Sequence, residues 1–390
     1  MKNFLATSLA LITFGCSGGG GQGWTKPSDP ERITAPTVPA GDVATLVAGN
    51  TSFATALHQQ LATQSGNLFY SPYSISLNLS EVNASGSQPA ALATALDFGL
   101  PQDRLNAAFD ALDLDLTSIT GKTQSGAGFQ FEETSASWGT LAAPQSYVTT
   151  LEQFYGTQIL SGTDPGQTLQ TWQTAGSPGP QLPVSLIGAC DGFLVTLVNF
   201  DAAWQSPFVA SNTQPGPFTT QAGGTVTVPF MSQTATFSFQ SSGTPAIELP
   251  YSGGRLSMLI ALPDDLATFE ASLTPSTIAG LLAGLAPTNV QLSLPKFSFT
   301  DGWSVLGLLQ QLGLELSGGG TWEIFHSAEI QVSETGTQAT AVTTTSHSPS
   351  AIAASTPFAV NKPFVYFILD QTTGTVLFIG RIVDPTQTGN

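Results

Sequence analysis

Glu334-Thr335-Gly336-Thr337-Gln338-Ala339-Thr340-Ala341-Val342-Thr343-Thr344 is a run of small and β-branched residues that opens on a glycine and holds no Lys or Arg. Ahead of it, His326 to Ser333 alternates as a strand does. Glu334 ends that strand, and Gly336 supplies backbone freedom at the bend. Side chains of an extended segment point alternately to opposite faces. Those sharing the face of Thr337 are Ala339, Ala341, Thr343 and Thr345, all small or β-branched, so a crowded interior could receive them. A charged side chain there would resist burial, because an unpaired charge is costly to remove from water. His347 continues the face and is its awkward member. Such a segment can be soluble as an exposed loop and still become a buried strand.

Outward from this run, Asn361-Lys362-Pro363-Phe364 and Leu377-Phe378-Ile379-Gly380-Arg381 lie downstream. Upstream, Phe53 to Gln64 has amphipathic helical spacing. Asn67-Leu68-Phe69-Tyr70-Ser71-Pro72-Tyr73-Ser74 reads as a short strand, a Ser-Pro turn and the start of a buried helix, with proline at its favoured first position. Ala90 to Leu96 reads as a further helix, Phe129 to Trp138 as a strand and Tyr147 to Tyr155 as a helix. Phe193 to Phe200 is a largely apolar run, the pattern of a central strand covered on both faces. Ala246 to Tyr251 leads through Gly253-Gly254 into Leu256 to Pro263, a hairpin signal. Thr274 to Leu285 and Leu306 to Leu312 are expected as helices, and Val290 to Phe299 as one strand. The stretch from Leu100 to Gln124 looks reduced and offers no basic helix.

The ordered succession of these segments, over roughly Leu46 to Thr386, resembles a serpin. The resemblance implies an α+β serpin fold: a large central mixed β-sheet, smaller sheets, surrounding helices and an exposed reactive-centre loop. It places Phe193 to Phe200 and Ile330 to Glu334 in the large sheet. Thr337 to about Phe358 would be the loop, or an inserted strand once cleaved or latent. It also implies an inhibitor of serine proteases, not an enzyme. The target attacks the loop, forms a covalent acyl-enzyme, and is trapped when the loop inserts. The hinge and inserting positions are Glu334, Gly336, Thr337, Ala339, Ala341 and Thr343. The reactive bond falls at Ser350-Ala351, within a window from Ser348 to Ala353. With no Lys or Arg between Glu334 and Lys362, the expected target is elastase-like or subtilisin-like, because the buried carboxylate of a trypsin-like pocket would go unpaired. Ser71, Ser74, Thr196 and His326 match the cluster that governs sheet opening. Thr196 stands where Asn is usual, and a hydroxyl offers fewer hydrogen bonds than an amide.

Charged residues make up only 9% of the 390, and nine basic against 26 acidic residues give a formal charge of -17. Such a chain cannot neutralise a phosphate backbone, so nucleic-acid binding and a heparin-like activator are not expected. Met1-Lys2-Asn3 and the apolar run Phe4 to Phe14 read as a secretory signal. The Gly15-Cys16 that follows resembles a bacterial lipoprotein site, with Cys16 as the lipidated residue and Ser17 favouring the outer membrane. The expected organisation is a signal at 1–16, a Gly/Pro/Ser tether at 17–45, a serpin domain at 46–386 and a tail at 387–390. The protein is expected to be a secreted, lipid-anchored monomer that contacts the membrane only through its lipid. Cys190 is then a buried free thiol.

The three histidines, His58, His326 and His347, are isolated from other ligands, so neither a metal nor a cofactor is expected. No Gly-x-Ser-x-Gly elbow or phosphate loop is present. Two other classes stand beside the inhibitor: a non-inhibitory serpin acting as a binding or structural protein, and an unrelated β-rich surface lipoprotein.

Overall fold

The structure is a computed structural model that describes residues 32–85, 89–118, 121–122, 128–139, 143–175, 182, 190–311, 322–337 and 354–389. Its first third is helical: α1 (Asp42–Leu61), the short strand β1 (Leu68–Tyr70), α2 (Pro72–Ala84), α3 (Pro89–Ala95) and α4 (Gln102–Ser118). Then come β2 (Gly121–Lys122), β3 (Gly128–Gly139), α5 (Gln145–Thr150) running into one π-helical turn at Leu151–Tyr155, β4 (Gln158–Ile159), α6 (Pro165–Thr174) and β5 (Gly192–Ala203). A β-rich stretch follows: β6 (Gln214–Thr219), β7 (Thr225–Gln240), β8 (Ala246–Pro250) and β9 (Leu256–Ala261). After α7 (Leu266–Ala271) and α8 (Pro275–Ala283) come β10 (Ala286–Pro295), β11 (Phe297–Ser304), α9 (Leu306–Gln311) and β12 (Trp322–Val332). The chain closes with β13 (Gly336–Thr337), β14 (Thr356–Ala359), β15 (Phe364–Asp370) and β16 (Val376–Ile382).

The strands form two sheets. A nine-stranded sheet runs β1-β16-β15-β9-β8-β7-β10-β14, with β6 on β7. A seven-stranded sheet runs β11-β12-β13-β5-β3-β2, with β4 on β3, and β12 also pairs directly with β5. The segments Phe193 to Phe200 and Ile330 to Val332 lie in this second, mixed sheet, as the resemblance implies. Glu334 lies just beyond it, in the turn after β12.

Alternation explains why both sheets are apolar on both faces. Phe364, Tyr366 and Ile368 of β15 share a core with Val198, Phe200 and Ala202 of β5 and with Ala328, Ile330 and Val332 of β12. The opposite face of β15, Val365, Phe367 and Leu369, packs with Phe53 and Leu57 of α1. Phe193, Val195 and Leu197, on the outer face of β5, lie under Leu169 and Trp172 of α6. A strand covered on both sides has no polar face, which is why β5 reads as a continuous apolar run.

Several local expectations are realised as chemistry. Ser71 caps α2, its Oγ accepting from the Ser74 N–H at 3.1 Å, with Pro72 in the first turn. Gly253 and Gly254 take the positive φ values, +89° and +70°, that the turn between β8 and β9 demands. Other boundaries shift. The single strand expected from Val290 to Phe299 is two, because the chain passes from one sheet to the other at Lys296. The stretch from Leu100 to Gln124 holds α4, a helix of 17 residues whose one basic side chain is Arg104. Residues expected at the end of a tether belong to the folded body: α1 begins at Asp42, whose buried carboxylate pairs with Arg104. In the expected tail, the Thr388 carbonyl accepts from the Thr300 N–H at 3.2 Å.

Candidate functional site

The site is the seam between β5 and β12. Its lower part is closed: the two strands pair in parallel from Trp322–Gly192 to Ser327–Leu197. Its upper part holds β13, which turns back from β12 and pairs antiparallel with both neighbours. Thr337 stands opposite Val332 on one side and Ala202 on the other, and Gly336 stands opposite Ala203. Gly336 is required by space. A Cβ there would collide with the Ala202 carbonyl oxygen and lie 2.7 Å from the Ala203 Cα.

Thr337, the first residue of the expected loop or inserted strand, is fully buried, and its hydroxyl is 2.8 Å from the Tyr251 hydroxyl. At the far end, Phe358 was expected near the loop's limit but is a buried member of β14, paired in parallel with Leu292 of β10. The physical reason is the same at both ends: each residue finds an open strand edge and a matching interior. Ala339, Ala341, Thr343, Ser350 and Ala351 lie outside the described residues, as does Cys16.

A dense set of contacts holds the turn before β13. The Trp204 ring lies flat on Tyr251, centroids 4.7 Å apart, and its Nε1–H donates to the Ser333 carbonyl at 2.9 Å. The Trp204 and Phe208 amides donate to the Thr335 and Glu334 carbonyls at 2.9 and 2.8 Å. The Glu334 carboxylate takes Lys296 Nζ at 2.7 Å and the Thr213 hydroxyl at 2.8 Å. Burial pushes that carboxyl's pKa up, but these hydrogen bonds outweigh it and hold the group below its ordinary value. Trp204, Tyr251, Thr213 and Lys296 were not singled out from sequence as site residues. Only an aromatic at Trp204 and a proline-flanked Lys296 hinted at special positions.

Lower in the seam, the four residues expected to govern sheet opening fall in two groups. The Ser71 N–H donates to His326 Nε2 at 3.1 Å, and Ser71 and Ser74 hydroxyls are 2.9 Å apart. Thr196, the register partner of His326, bonds the Ser135 hydroxyl at 2.7 Å and donates to Asn78 Oδ1. Thr196 thus bonds an amide of α2, Asn78, whose own side-chain nitrogen has no partner among the described residues. Sequence reasoning missed it because α2 and β5 are joined only by the fold. With Nε2 accepting, the neutral ring carries its proton on Nδ1, which has no hydrogen-bond partner among the described residues. Complete burial lowers the His326 pKa to about 3. Among the described residues no group of three or more His, Cys, Asp or Glu could hold a metal ion.

These features agree with the comparisons. The family profile for serpins (serine protease inhibitor) matches residues 48–172 and 190–385, and the chain belongs to this family. An uncharacterised serpin-like protein of Thermococcus kodakarensis is 30% identical over 86% of this chain and 84% of its own length. Leukocyte elastase inhibitor A of Mus musculus is 27% identical over 87% of this chain and 99% of its own. Among solved structures, the thermophilic serpin tengpin in its native state superposes with a TM-score of 0.78 at 19% identity, covering 93% of this chain and 99% of that one. Human thyroxine-binding globulin gives 0.75 at 22%, covering 89% and 100%. Family members are mostly protease inhibitors and not enzymes.

Proposed function

We propose that this serpin inhibits elastase-like or subtilisin-like serine proteases by suicide-substrate trapping. The observation that carries the reading is the seam itself, closed below by direct pairing and already entered above by Gly336 and Thr337. A target's serine attacks the Ser350 carbonyl, the Ala351 amine departs, and the acyl-enzyme remains on Ser350. Release of loop tension then lets the segment after Thr337 extend β13 down the seam, carrying the protease with it before water can deacylate it. No cofactor enters, and the protein serves as substrate.

The register supports the named residues. Continuing β13 in step with β5 and β12 sets Ala339 and Ala341 on the inner face and brings Thr343 opposite both Thr196 and His326. There its hydroxyl oxygen would accept from the unpartnered His326 Nδ1–H. The inserted strand thus satisfies a buried donor left unmade in the closed sheet.

Cys16, after an apolar run, supports a lipid anchor on the outer side of a bacterial membrane. Cys16→Ala is expected to release the protein from the membrane fraction. The inhibitory reading is tested by incubation with elastase, subtilisin and trypsin, denaturing electrophoresis and mass spectrometry of the released fragment. A complex that survives denaturation with either of the first two, and a cut between Ser348 and Ala353, is the expected result. Clean cleavage without a complex would overturn trapping.

A further inference from the structure

The seven-stranded sheet ends on one side at β11, whose one neighbouring strand is β12. The two pair without a shift from Phe297–Val332 to Ser304–Phe325. An open edge turns alternate N–H and C=O groups outward, where another strand can take them. Proteins guard such edges with Lys, Pro, a bulge, an inward charge or a cover. β11 has no Lys, no Pro and no bulge. Its one charged side chain, Asp301, is half-buried and accepts from the Gly302 and Phe69 amides. The backbone groups at Thr300 are left to a cover.

That cover comes from the residues after β16. Asn67, buried just ahead of β1, steers them. Its side-chain oxygen accepts from the Val383 and Asp384 amides at 2.8 and 3.1 Å, and its Nδ2 donates to the Asp384 carbonyl at 2.9 Å. Asp384 then folds the chain: its carboxylate accepts from the Thr386 N–H at 2.9 Å and its carbonyl from the Gln387 N–H at 3.2 Å. This turn lays Gly389 in parallel register with Thr300, whose N–H donates to the Thr388 carbonyl at 3.2 Å. Gly389 has a φ of +94°, and a Cβ there would collide with the Thr300 carbonyl oxygen, so the close approach requires glycine. Thr386 to Gly389 are exposed, so the flank beyond them faces water.

We propose that residues 387–389 are a guard laid on β11, and that the edge beneath them is a dimerisation surface for the same edge of a second copy. The edge is complementary to itself. Two copies of β11, antiparallel about a two-fold axis at Thr300, exchange both backbone hydrogen bonds between their Thr300 residues. In that register Asp301 stands opposite Phe299, and Phe297 opposite Trp303, so no like charges meet. The alternate positions Ser298, Thr300, Gly302 and Ser304 carry no charge at all. β11 lies on the far side of β12 from the seam, so the proposal does not rest on the inhibitory reading.

The test is sedimentation of the full chain across the micromolar range, with Gly389→Val alone and combined with Thr300→Pro. The native protein is expected to be a monomer. Gly389→Val cannot keep the bridge and is expected to dimerise. Its Thr300 amide should exchange roughly tenfold faster than native when dilute, and slowly again when concentrated. Adding Thr300→Pro removes the N–H at the centre of the pair, at an edge position where proline is tolerated, and should restore the monomer. Deletion of residues 387–390 is expected to dimerise as Gly389→Val does, and it decides the matter if that variant does not fold. A monomer for the deletion would overturn the proposal, as would a native dimer or a dimer that survives Thr300→Pro. A dimer that Thr337→Arg abolishes would overturn it too, because the loop and not β11 would then join the copies.

Discussion

The two ends of one seam differ in how their polar groups are met. At the upper end, Ser333, Glu334, Thr335 and Thr337 all have hydrogen-bond partners, several of them from Trp204, Tyr251, Thr213 and Lys296. At the lower end, His326 Nδ1 and the Asn78 side-chain amide nitrogen are buried without partners among the described residues. A buried donor left unmade costs more than a made bond returns. The sheet is thus well bonded where β13 lies and underbonded below it, a gradient that would favour the proposed insertion from above.

The largest test of this contrast is Thr337→Arg. It places a charge where a fully buried hydroxyl now meets Tyr251, at a cost on the order of several kcal/mol. The protein is expected to become a substrate: electrophoresis with elastase should show cleavage and no surviving complex. A retained complex would show that β13 is not the leading edge of insertion.

The next effect is on pH, and two buried groups pull in opposite directions. His326 is neutral when folded, its pKa lowered by burial to about 3. An unfolded imidazole binds a proton below its ordinary 6.5, so this contribution is whole above pH 6.5 and is lost as pH falls towards 3. Burial raises the Glu81 pKa to about 8, more than the bond from Thr157 lowers it. The folded carboxyl keeps its proton where the unfolded one has released it. Its contribution is therefore whole below about pH 4.5 and lost as pH rises to 8. Each shift corresponds to at most about 5 kcal/mol. Melting temperature measured across pH should fall less steeply on the acid side in His326→Gln and less steeply on the alkaline side in Glu81→Gln, where the raised carboxyls of Asp110 and Glu133 keep part of the limb. An unaltered profile in either variant would remove that residue from the account.

Glu334→Gln is expected to do less. It keeps an acceptor for Thr213 but loses the ion pair with Lys296, whose side chain is 36% exposed, a loss of about 1 kcal/mol. Limited proteolysis near Ser333 should quicken slightly, with the lower seam unchanged by hydrogen exchange. The smallest effect belongs to Thr343→Val. After cleavage, the inserted strand would leave the His326 donor unmet, lowering the cleaved form's stability by about 1 kcal/mol. The uncleaved form should melt as before, and Thr343→Ser should behave as native. Equal melting of cleaved Val and Thr forms would mean that Thr343 does not reach this level.

The sequence by itself determined what short-range chemistry can carry. Ser71-Pro72 writes a capped helix start, Gly253-Gly254 a turn, the Phe193 to Phe200 run a strand without a wet face, and Gly336 a bend before small residues. Each rests on neighbours a few positions apart, where steric preference and period speak directly. Only the tertiary structure decided that Val290 to Phe299 divides between two sheets, that Asn78 accepts from Thr196, and that Thr337 is already buried against Tyr251. It alone brought Arg32 onto Asp110 and Asp113. These facts depend on which surfaces meet across long stretches of chain, and a hydroxyl or carboxylate reads the same in sequence whether its partner is water or a buried group. The fold was legible because the succession of local patterns marks it; the long-range contacts were not, because a hydrogen bond between distant residues leaves no mark on either one's neighbours.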